Sequence, residues 1–224
     1  MKFKNLQFPE AVVILVVRYY CAYKLSYRDI EEICKDRNIS LDHSTINRWV
    51  IKFSKYIVDR ARKYKKPVSG KWRMDETYIK IKGKWYYYYR AVDENGDIID
   101  FYLSRNRKAK AAKKFFIKAI ENNRLPYKIN IDKSGANTKA LMSINSYLTN
   151  DNKIAVSREK YLNNIVEQSH RKVKQKSIQA LGYKSFAGAV ATLELQEVWS
   201  MIKRNQFKNP NNLSIFEQFY QFAA

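Results

Sequence analysis

The fold class of this chain of 224 residues is decided by one stretch, KWRMDETYIKIKGKWYYYYRAVDENGDIIDFYLS, residues 71–104. It contains three runs rich in aromatic and β-branched residues, separated by Lys82-Gly83 and by Glu94-Asn95-Gly96. Gly-containing breaks between such runs are typical of hairpin turns. The stretch therefore predicts three antiparallel strands, over residues 71–81, 84–93 and 97–104.

The second of these strands carries the aromatic run Trp85–Tyr89. Successive side chains on a strand point to opposite faces of the sheet. We therefore expect these rings to pack on both faces, and we assign them no catalytic role.

The segments after residue 104 alternate between helical and strand patterns. Helices are predicted over residues 108–122, 137–148, 160–176 and 186–205, with short strands at YKINID (127–132) and KIAV (153–156). Three antiparallel strands followed by a helix, a parallel strand and further helices are the order of the ribonuclease H-like fold. We therefore expect an α/β, ribonuclease H-like (integrase-like) domain.

The first part of the chain is helical in pattern. Pro9 precedes a helix to about Tyr23, Ser26 caps a second with Asp29 in a capping-box position, and Asp42 caps a third, HSTINRWVIKFSKYI. Two short helices joined by a tight turn predict an all-α helix-turn-helix domain. Its outward residues near the start of the third helix are the candidate DNA contacts: Ser44, Thr45, Arg48 and Lys52.

The net charge of the chain favours a DNA-binding helix-turn-helix over an ordinary helical hairpin with a solvated outer face. Lys and Arg total 43 against 21 Asp and Glu, a net charge of +22, and hydrophobic residues make up 46% of the chain. A basic, core-forming protein is suited to a polyanion such as nucleic acid, although a membrane surface or a ribosomal role would also fit the charge.

The cysteines and the apolar runs indicate whether the chain contains a zinc site, a disulfide or a membrane span. Cys21 and Cys34 have no CxxC partner, so we expect neither zinc nor a structural disulfide, and both are predicted to pack inside helices. The longest apolar run, residues 11–17, is too short to span a bilayer, which predicts no membrane association and a cytoplasmic, nucleoid-associated protein.

A polar linker over residues 63–71, with Pro67 and Gly70, divides the chain. The predicted domains are a helix-turn-helix domain (1–66), a catalytic domain (67–206) and a C-terminal helical tail (207–224). The tail, LSIFEQFYQFAA from residue 213, is expected to be a docking helix and a candidate oligomer contact.

Three carboxylates are the candidate metal ligands. Asp75 lies in the first strand and Asp132 ends the fourth; these strands are neighbours in the predicted sheet, and Glu167 would come from the helix packed on top. Such a group is expected to hold two Mg²⁺ ions, which prefer oxygen ligands. Glu76 is expected to point to the opposite face, and the acids of the second hairpin are read as structural: Asp93, Asp97 and Asp100.

The stretch KYLNNIVEQSHRKVKQK, residues 160–176, is predicted to be one helix. Glu167, His170 and Lys174 fall on one face of it, with Asn163 one turn earlier. The alternative is a solvated face with one salt bridge. A phosphate-contacting role and a solvated basic face are equally good readings of three further cations on this helix: Arg171, Lys172 and Lys176.

These residues resemble a known family. RMDETYIKIKGKWYYYYRAVD (73–93), NIDKSGAN (130–137), KYLNNIVEQSHRKVKQ (160–175) and LGYKSF (181–186) are similar to bacterial insertion-sequence transposases of the DDE class, above all the insertion-sequence-six family. The likeness runs to about residue 205, and 34 residues separate Asp132 from Glu167, as in that family. Ser169 stands where the family usually has Asp.

The resemblance implies a transposase that binds terminal inverted repeats, hydrolyses one strand at each end and joins the 3′-OH to target DNA. It implies Asp75, Asp132 and Glu167 as ligands of two Mg²⁺ ions, for which Mn²⁺ can substitute, and a homodimer or higher oligomer on DNA. It also implies that Lys174 contacts the transposon end, that His170 and Lys174 steer the terminal phosphates, and that Arg171 is a further DNA contact.

Other classes fit less well. A tyrosine recombinase needs a His and two Arg around its nucleophile, and a relaxase needs a His-x-His pair, whereas the chain has only His43 and His170. The remaining alternative is a catalytically inactive, domesticated transposase that acts as a sequence-specific DNA-binding regulator. The presence of all three acids argues against it.

Overall fold

The computed structural model describes residues 7–179 and 182–223, apart from the side chains of Ser169, Lys172 and Gln179. The chain divides into a helical unit, Met1–Lys66 with Gln175–Ala224, and an α/β unit, Pro67–Lys174. The difference between Ser169 and the usual Asp therefore concerns a side chain outside this description.

The α/β unit contains five strands in the order β3-β2-β1-β4-β5. Strands β1, β2 and β3 are antiparallel, and β4 and β5 continue the sheet in parallel from β1. This order confirms the predicted ribonuclease H-like fold. The bounds are β1 Lys71–Ile81, β2 Lys84–Asp93, β3 Ile98–Ser104, β4 Lys128–Asn130 and β5 Ala155–Ser157.

Helices α4 (Ala109–Asn122) and α5 (Gly135–Asn145) belong to the core on one face of this sheet. Alternation along β1 turns Trp72 and Met74 into that core, where they are covered by aromatic side chains of α4. Full burial of such large apolar side chains stabilises the fold by roughly 2–3 kcal/mol each.

Residues 160–176 do not form one continuous α-helix as predicted. Lys160–Asn163 is a 3₁₀ turn, and helix α6 spans Asn164–Gln179. The side chain of Asn130 on β4 donates to the Glu159 carbonyl at 3.0 Å and to Asn163 Oδ1 at 2.8 Å. These bonds tie the turn to the strand, so Asn163 is buried there and does not join the face formed by Glu167, His170 and Lys174.

The helical unit begins with α1 (Glu10–Ala22), α2 (Tyr27–Lys35) and α3 (His43–Tyr64). Ser26 and Asp29 form the predicted capping box at the start of α2. Helix α3 runs beyond the predicted end at Ile57, because buried apolar residues continue along it to Ala61. The predicted linker over 63–71 is correspondingly shorter, since Tyr64 is helical and Lys71 already begins β1.

The C-terminal helices α7 (Phe186–Lys203) and α8 (Ile215–Ala223) complete the core of this same unit. Trp199 of α7 and Phe219 of α8 are buried in one cluster with α1 and α3, and their rings lie 6.0 Å apart. The predicted domain 67–206 and the separate tail 207–224 therefore differ from the structural division, although the boundary after residue 66 agrees. The reason is that the apolar faces of α7 and α8 pack on the N-terminal helices.

Cys21 and Cys34 are free, and their predicted packing inside helices is confirmed, since both are buried within α1 and α2. Across the described ranges 7–179 and 182–223, no helix combines the length and the apolar character needed to cross a membrane.

For Lys176, the structure contradicts both interpretations of the basic helix. Lys176 is only 4% exposed, and its Nζ donates to the carbonyls of Tyr23 (3.1 Å) and Leu25 (2.6 Å). The Nζ also lies 4.0 Å from the centre of the Tyr20 ring. It is therefore neither a phosphate contact nor part of a solvated face, and burial lowers its pKa to about 8.

The burial of Lys176 predicts a pH-dependent stability. A lysine whose folded-state pKa lies below its unfolded value penalises the fold when charged. The penalty is absent above the unfolded pKa, where the lysine is neutral in both states. It grows as pH falls and is complete below about 8. Between pH 7 and 9.5 we expect the free energy of unfolding of the wild type to rise by about 2 kcal/mol relative to Lys176→Met.

Urea unfolding at several pH values, followed by circular dichroism, measures this difference. Lys24→Met, which removes an exposed lysine of the same unit, is the matched control and should show no such trend. A difference between the wild type and Lys176→Met that stays constant from pH 7 to 9.5 would contradict the assignment.

Candidate active site in the α/β unit

A cavity of about 560 Å³ lies where β1 loses its parallel neighbour. Strand β4 pairs with β1 only over Lys71–Arg73, so the part of β1 that follows is not paired with it. Helix α6 provides the other wall of the cavity. The lining residues are Asp75, Glu76, Thr77, Tyr78, Asn164, Glu167, Gln168, His170, Arg171 and Lys174.

Asp75 projects from β1 toward His170 of α6. The distance from His170 Nε2 to Asp75 Oδ2 is 3.4 Å, within ion-pair range, but the geometry is too poor for a hydrogen bond. His170 is 3% exposed, and neither ring nitrogen has a hydrogen-bond partner within the described part of the chain. The predicted DNA-contacting role of His170 therefore fits its burial poorly, and a role in positioning Asp75 fits better.

Glu167, Arg171 and Lys174 are exposed and line the same cavity from α6. The helical spacing predicted from the sequence thus places Glu167, His170 and Lys174 along one wall. Glu167 is the acid in the first turn of α6, where the helix dipole favours a negative charge. One predicted carboxylate from a strand and one from a helix therefore share a cavity with two exposed cations.

Asp132 follows β4 and is not among the residues that line the cavity. Its Oδ1 accepts bonds from the Ser134 N–H (3.1 Å) and the Asn137 side chain (2.9 Å). Its Oδ2 lies 3.8 Å from Nη2 of Arg107. Within the described residues, the three predicted carboxylates do not form a group with one oxygen from each inside 4.8 Å.

Arg107, in the loop between β3 and α4, was missed by the sequence analysis. Its Nε donates to Oε1 of Glu76, its Nη1 donates to the Tyr78 hydroxyl at 3.3 Å, and its Nη2 approaches Asp132. Glu76 lies on the sheet face opposite Asp75, as predicted, and its side chain is 4% exposed. A single Arg in a basic loop carries no sequence signal for this bridge, which depends on the loop conformation.

The pKa of Glu76 shows the balance of charge at this edge. Burial raises the pKa of its carboxyl, the Arg107 guanidinium opposes that rise, and the negative charges of Asp132 and Asp75 add to it. Arg107 therefore keeps a buried acid compatible with a second carboxylate at the end of β4.

The acids of the second hairpin have structural partners. Asp93 accepts bonds from the backbone N–H groups of Asn95 and Asp97 in the turn. Asp100 accepts bonds from Lys118 and Asn122 of α4. These contacts agree with the structural reading of Asp93 and Asp100 and hold the hairpin and α4 in place.

The predicted DNA contacts of the helical unit lie at the start of α3. Ser44 donates from its N–H (2.8 Å) and from its hydroxyl to Oδ1 of the N-cap Asp42. Arg48 Nη2 donates to the Thr45 hydroxyl at 2.7 Å. Arg48 and Lys52 are exposed, whereas the Ser44 and Thr45 hydroxyls already have partners and would have to exchange them to reach DNA.

A different group of side chains with metal-ligand chemistry lies in the helical unit. His43 Nδ1 lies 2.8 Å from Glu31 Oε2 and 3.4 Å from Asp42 Oδ2. Asp42 caps α3, and Glu31 also accepts from the His43 backbone N–H at 3.3 Å. These bonds fix the connection between α2 and α3, which accounts for the group without a metal.

The carboxylates of the α/β unit fit a divalent cation in chemistry. Asp75 and Glu167 supply oxygen donors in one cavity, and Mg²⁺ binds through one or two carboxylates together with water and phosphate oxygens. Asp75 and Asp132 each have one oxygen beside a basic side chain, His170 or Arg107. A bound cation could therefore take the place of His170 and Arg107 beside these oxygens, and the same acids would be its ligands.

The Arg107–Glu76 pair gives a testable consequence. Arg107→Ala leaves Glu76 as a buried carboxylate without its cation, and we expect the free energy of unfolding to fall by about 1–2 kcal/mol at pH 8, less than for a fully buried pair because Arg107 is partly exposed. At pH 5 the loss should be smaller. Because the folded-state pKa of Glu76 is raised, the protonated acid is favoured at low pH and stability is lost as pH rises through that pKa.

Urea unfolding in a chelator at pH 5 and pH 8 checks this. In a Glu76→Gln background, where no buried charge remains, Arg107→Ala should cost no more than about 0.5 kcal/mol. An equal loss at both pH values and in both backgrounds would show that Arg107 acts through packing alone.

Comparison with known proteins agrees with this arrangement. The family model DDE_Tnp_IS240, described as "DDE domain", matches residues 69–206. The transposase for insertion sequence-like element IS431mec of Staphylococcus aureus is 37% identical over 207 residues, which are 91% of this chain and 90% of that protein. The transposase for insertion sequence element IS257 in transposon Tn4003, from the same species, matches equally well.

Likeness to solved structures is looser. The HTLV-2 integrase catalytic core domain in complex with magnesium has a TM-score of 0.48 and 16% identity, covering 68% of this chain and 97% of that chain. A simian T-cell lymphotropic virus intasome in complex with a PP2A regulatory subunit has a TM-score of 0.46 and 11% identity, covering 92% of this chain and 74% of that one.

The matched DDE domain covers more than half of the chain, and the transposase relatives span nearly all of it. Both extend beyond the α/β unit into α7. The chain therefore belongs to the DDE transposases of insertion sequences, in the insertion-sequence-six family, metal-dependent enzymes that act on DNA.

Proposed function

We propose that this transposase binds the terminal inverted repeats of its element, hydrolyses one strand at each end and joins the 3′-OH to target DNA. The single observation that carries the proposal is the cavity that Asp75 of β1 and Glu167 of α6 share, beside the end of the sheet from which Asp132 extends. These acids occupy the three positions that the family motif implies.

Two Mg²⁺ ions, or Mn²⁺ in their place, would be held by Asp75, Asp132 and Glu167 and would stabilise the attacking and leaving oxygens of a phosphoryl displacement. The chain's own residues then position the DNA. Arg171 and Lys174 are exposed cations on the cavity wall and are suited to phosphate groups. His170 is buried with its Nε2 3.4 Å from Asp75 Oδ2, and its packing would limit the positions open to that carboxylate.

Arg107 has a defined part in this proposal. Without a cation its Nη2 lies 3.8 Å from Asp132, so it partly neutralises an acid that would otherwise face other carboxylates. A cation held by Asp132 would leave Glu76 and the Tyr78 hydroxyl as partners for the guanidinium. Arg107 would therefore limit repulsion between the acids both with and without a bound cation.

Recognition of the inverted repeats is assigned to α2 and α3. The N-terminal part of α3 presents exposed Arg48 and Lys52, with Ser44 and Thr45 beside them. Arg is suited to guanine edges and Lys to phosphates. A homodimer or higher oligomer on DNA would bring two transposon ends together.

The domesticated, catalytically inactive regulator remains the second candidate. The observation that favours it is that the three acids are not gathered within 4.8 Å in the described structure. It predicts the same DNA binding without strand transfer, so one assay separates the two.

Asp75→Asn, Asp132→Asn and Glu167→Gln should each lower strand transfer by roughly 100-fold or more, because each removes a metal ligand. End binding should be unchanged, since none of the three contributes to α3. Strand transfer on labelled oligonucleotide ends, with electrophoretic mobility shift as the binding readout, measures both.

Asp151→Asn, which removes an exposed acid of the same unit, is the matched control and should remain active. Excess chelator should abolish wild-type activity. Normal strand transfer by any one of the three variants would refute the ligand assignment, and a wild type that binds ends without any strand transfer would support the regulator.

Arg48 and Lys52 should differ in what they contribute to end binding. Arg48→Ala should cost about 1–3 kcal/mol and relax preference at one base pair, because it loses a base contact. Lys52→Ala should weaken all sequences alike and reduce the slope of log affinity against log salt by about 1. Lys63→Ala, at the far end of α3, is the control; equal effects of all three would contradict the assigned orientation of α3.

A further inference from the structure

The outer end of the β1–β2 hairpin carries an aromatic surface that the proposed chemistry does not use. Tyr78 is 47% exposed and Trp85 is 59% exposed, with Tyr87 half-buried beside them. Register places Tyr78 opposite Tyr87 and Lys80 opposite Trp85, so all four side chains lie on one face. We call these four residues the hairpin platform.

Contacts within the platform hold its rings in place. Tyr78 and Trp85 meet edge to face, with ring centres 6.2 Å apart, and Tyr78 and Tyr87 are 5.4 Å apart. Lys80 Nζ lies 5.6 Å from the centre of the Trp85 ring. The rings are therefore positioned before any partner binds, which lowers the entropy cost of binding.

The same sheet face is covered further along the strands. Tyr89, two positions beyond Tyr87, is fully buried against Phe115 of α4, with ring centres 6.0 Å apart. Beyond that point the platform rings are exposed. One sheet face is therefore buried under α4 at one end and exposed at the platform. An exposed aromatic surface of this kind is typical of an interaction site.

Charge indicates what that partner is. Residues 77–92 contain no acidic residue, and the turn at the end of the hairpin adds exposed Lys82 and Lys84 to Lys80. A second protein surface would need acids to match these cations. Aromatic rings among lysines are instead suited to the bases and phosphates of an unpaired nucleic acid strand.

The platform is continuous with the candidate active site. Tyr78 lines the cavity that contains Asp75 and Glu167. Its hydroxyl accepts a bond from Arg107 Nη1, and Nη2 of the same guanidinium lies 3.8 Å from Asp132. The platform lies on the sheet face opposite Asp75, so a strand with a phosphate at the carboxylates would reach the platform around the edge of β1 that β4 leaves unpaired, past Tyr78.

We propose that the hairpin platform stacks unpaired bases of the DNA strand next to the position of strand cleavage. This site for single-stranded DNA rests on the proposed function, since it uses the position of the carboxylates to say which nucleotides are bound. Stacking does not depend on base identity, because every base has a flat face. The platform would hold the strand after its end has separated from the duplex, while Arg48 and its neighbours bind the paired repeat.

The test compares two probes with the full-length chain in a chelator, so that no reaction occurs. Fluorescein-labelled oligothymidylate of about 20 nucleotides, a length that exceeds one single-strand site, reports stacking by anisotropy. A blunt duplex of equal length reports the remaining contacts. Trp85→Ala should weaken oligothymidylate binding about tenfold, as expected for loss of one stacked base, and change duplex binding less than twofold.

Matched variants separate stacking from other effects. Trp85→Phe, which keeps a ring, should retain most of the affinity for oligothymidylate. Tyr147→Ala should have no effect; Tyr147 is 82% exposed and also has a lysine, Lys113, with its Nζ 5.2 Å from the ring. Because Trp85 is largely exposed, the melting temperature of Trp85→Ala should stay close to that of the wild type.

Three results would overturn the proposal: unchanged oligothymidylate binding by Trp85→Ala, equal weakening for both probes, or a shift from dimer to monomer that accounts for the loss. The last would mark the platform as an interface between copies. Asp132→Asn separates this proposal from the proposed function, because it should keep oligothymidylate affinity while losing strand transfer. A wild type that transfers strands but whose oligothymidylate binding does not depend on Trp85 would reject the platform alone. A wild type whose oligothymidylate binding depends on Trp85 but that shows no strand transfer would reject the chemistry alone.

Discussion

Alternation of side chains along β1 is the constraint on which the α/β unit depends. The even-numbered residues Trp72 and Met74 anchor the strand in the core, so the odd-numbered Asp75 is turned to the face from which α6 approaches. A shift of register by one residue would bury Asp75 beneath α4 and turn Glu76 to the face from which α6 approaches. The tight core on one face therefore fixes the position of an acid on the other.

The early loss of pairing between β1 and β4 gives that acid its access. A fully paired strand would have closed the edge at which the cavity lies, whereas pairing over only Lys71–Arg73 leaves room beside Asp75. The Arg107 guanidinium compensates the negative charges of Glu76 and Asp132 at this edge, and the His170 ring lies 3.4 Å from Asp75. Neighbouring acids can thus be accommodated at one edge of the sheet, because a basic side chain beside them limits their repulsion.

Local patterns predicted local features well. The bounds of β1 and β2 follow from alternating residues between strong turn signals, and the capping box of α2 is a contact over three residues. Features that depend on distant partners were not predictable. Nothing local to Trp199 specifies that it packs with α1 and α3, Lys176 lies in a run of cations although it is buried, and the Arg107 bridge depends on how one loop folds. Motif spacing identifies the three acids in the sequence. It does not predict the distances between their carboxylates in the fold.

The helical unit is assembled from both ends of the described chain, since α7 and α8 complete the core around α1 and α3. During synthesis, the first three helices therefore leave the ribosome long before the residues that cover their apolar faces. At about 5–20 residues per second, the gap of more than a hundred residues lasts on the order of ten seconds. A chain stopped early by a nonsense codon or a frameshift would display these helices without their core. Such fragments would expose apolar faces to water and would be removed by proteases or aggregate.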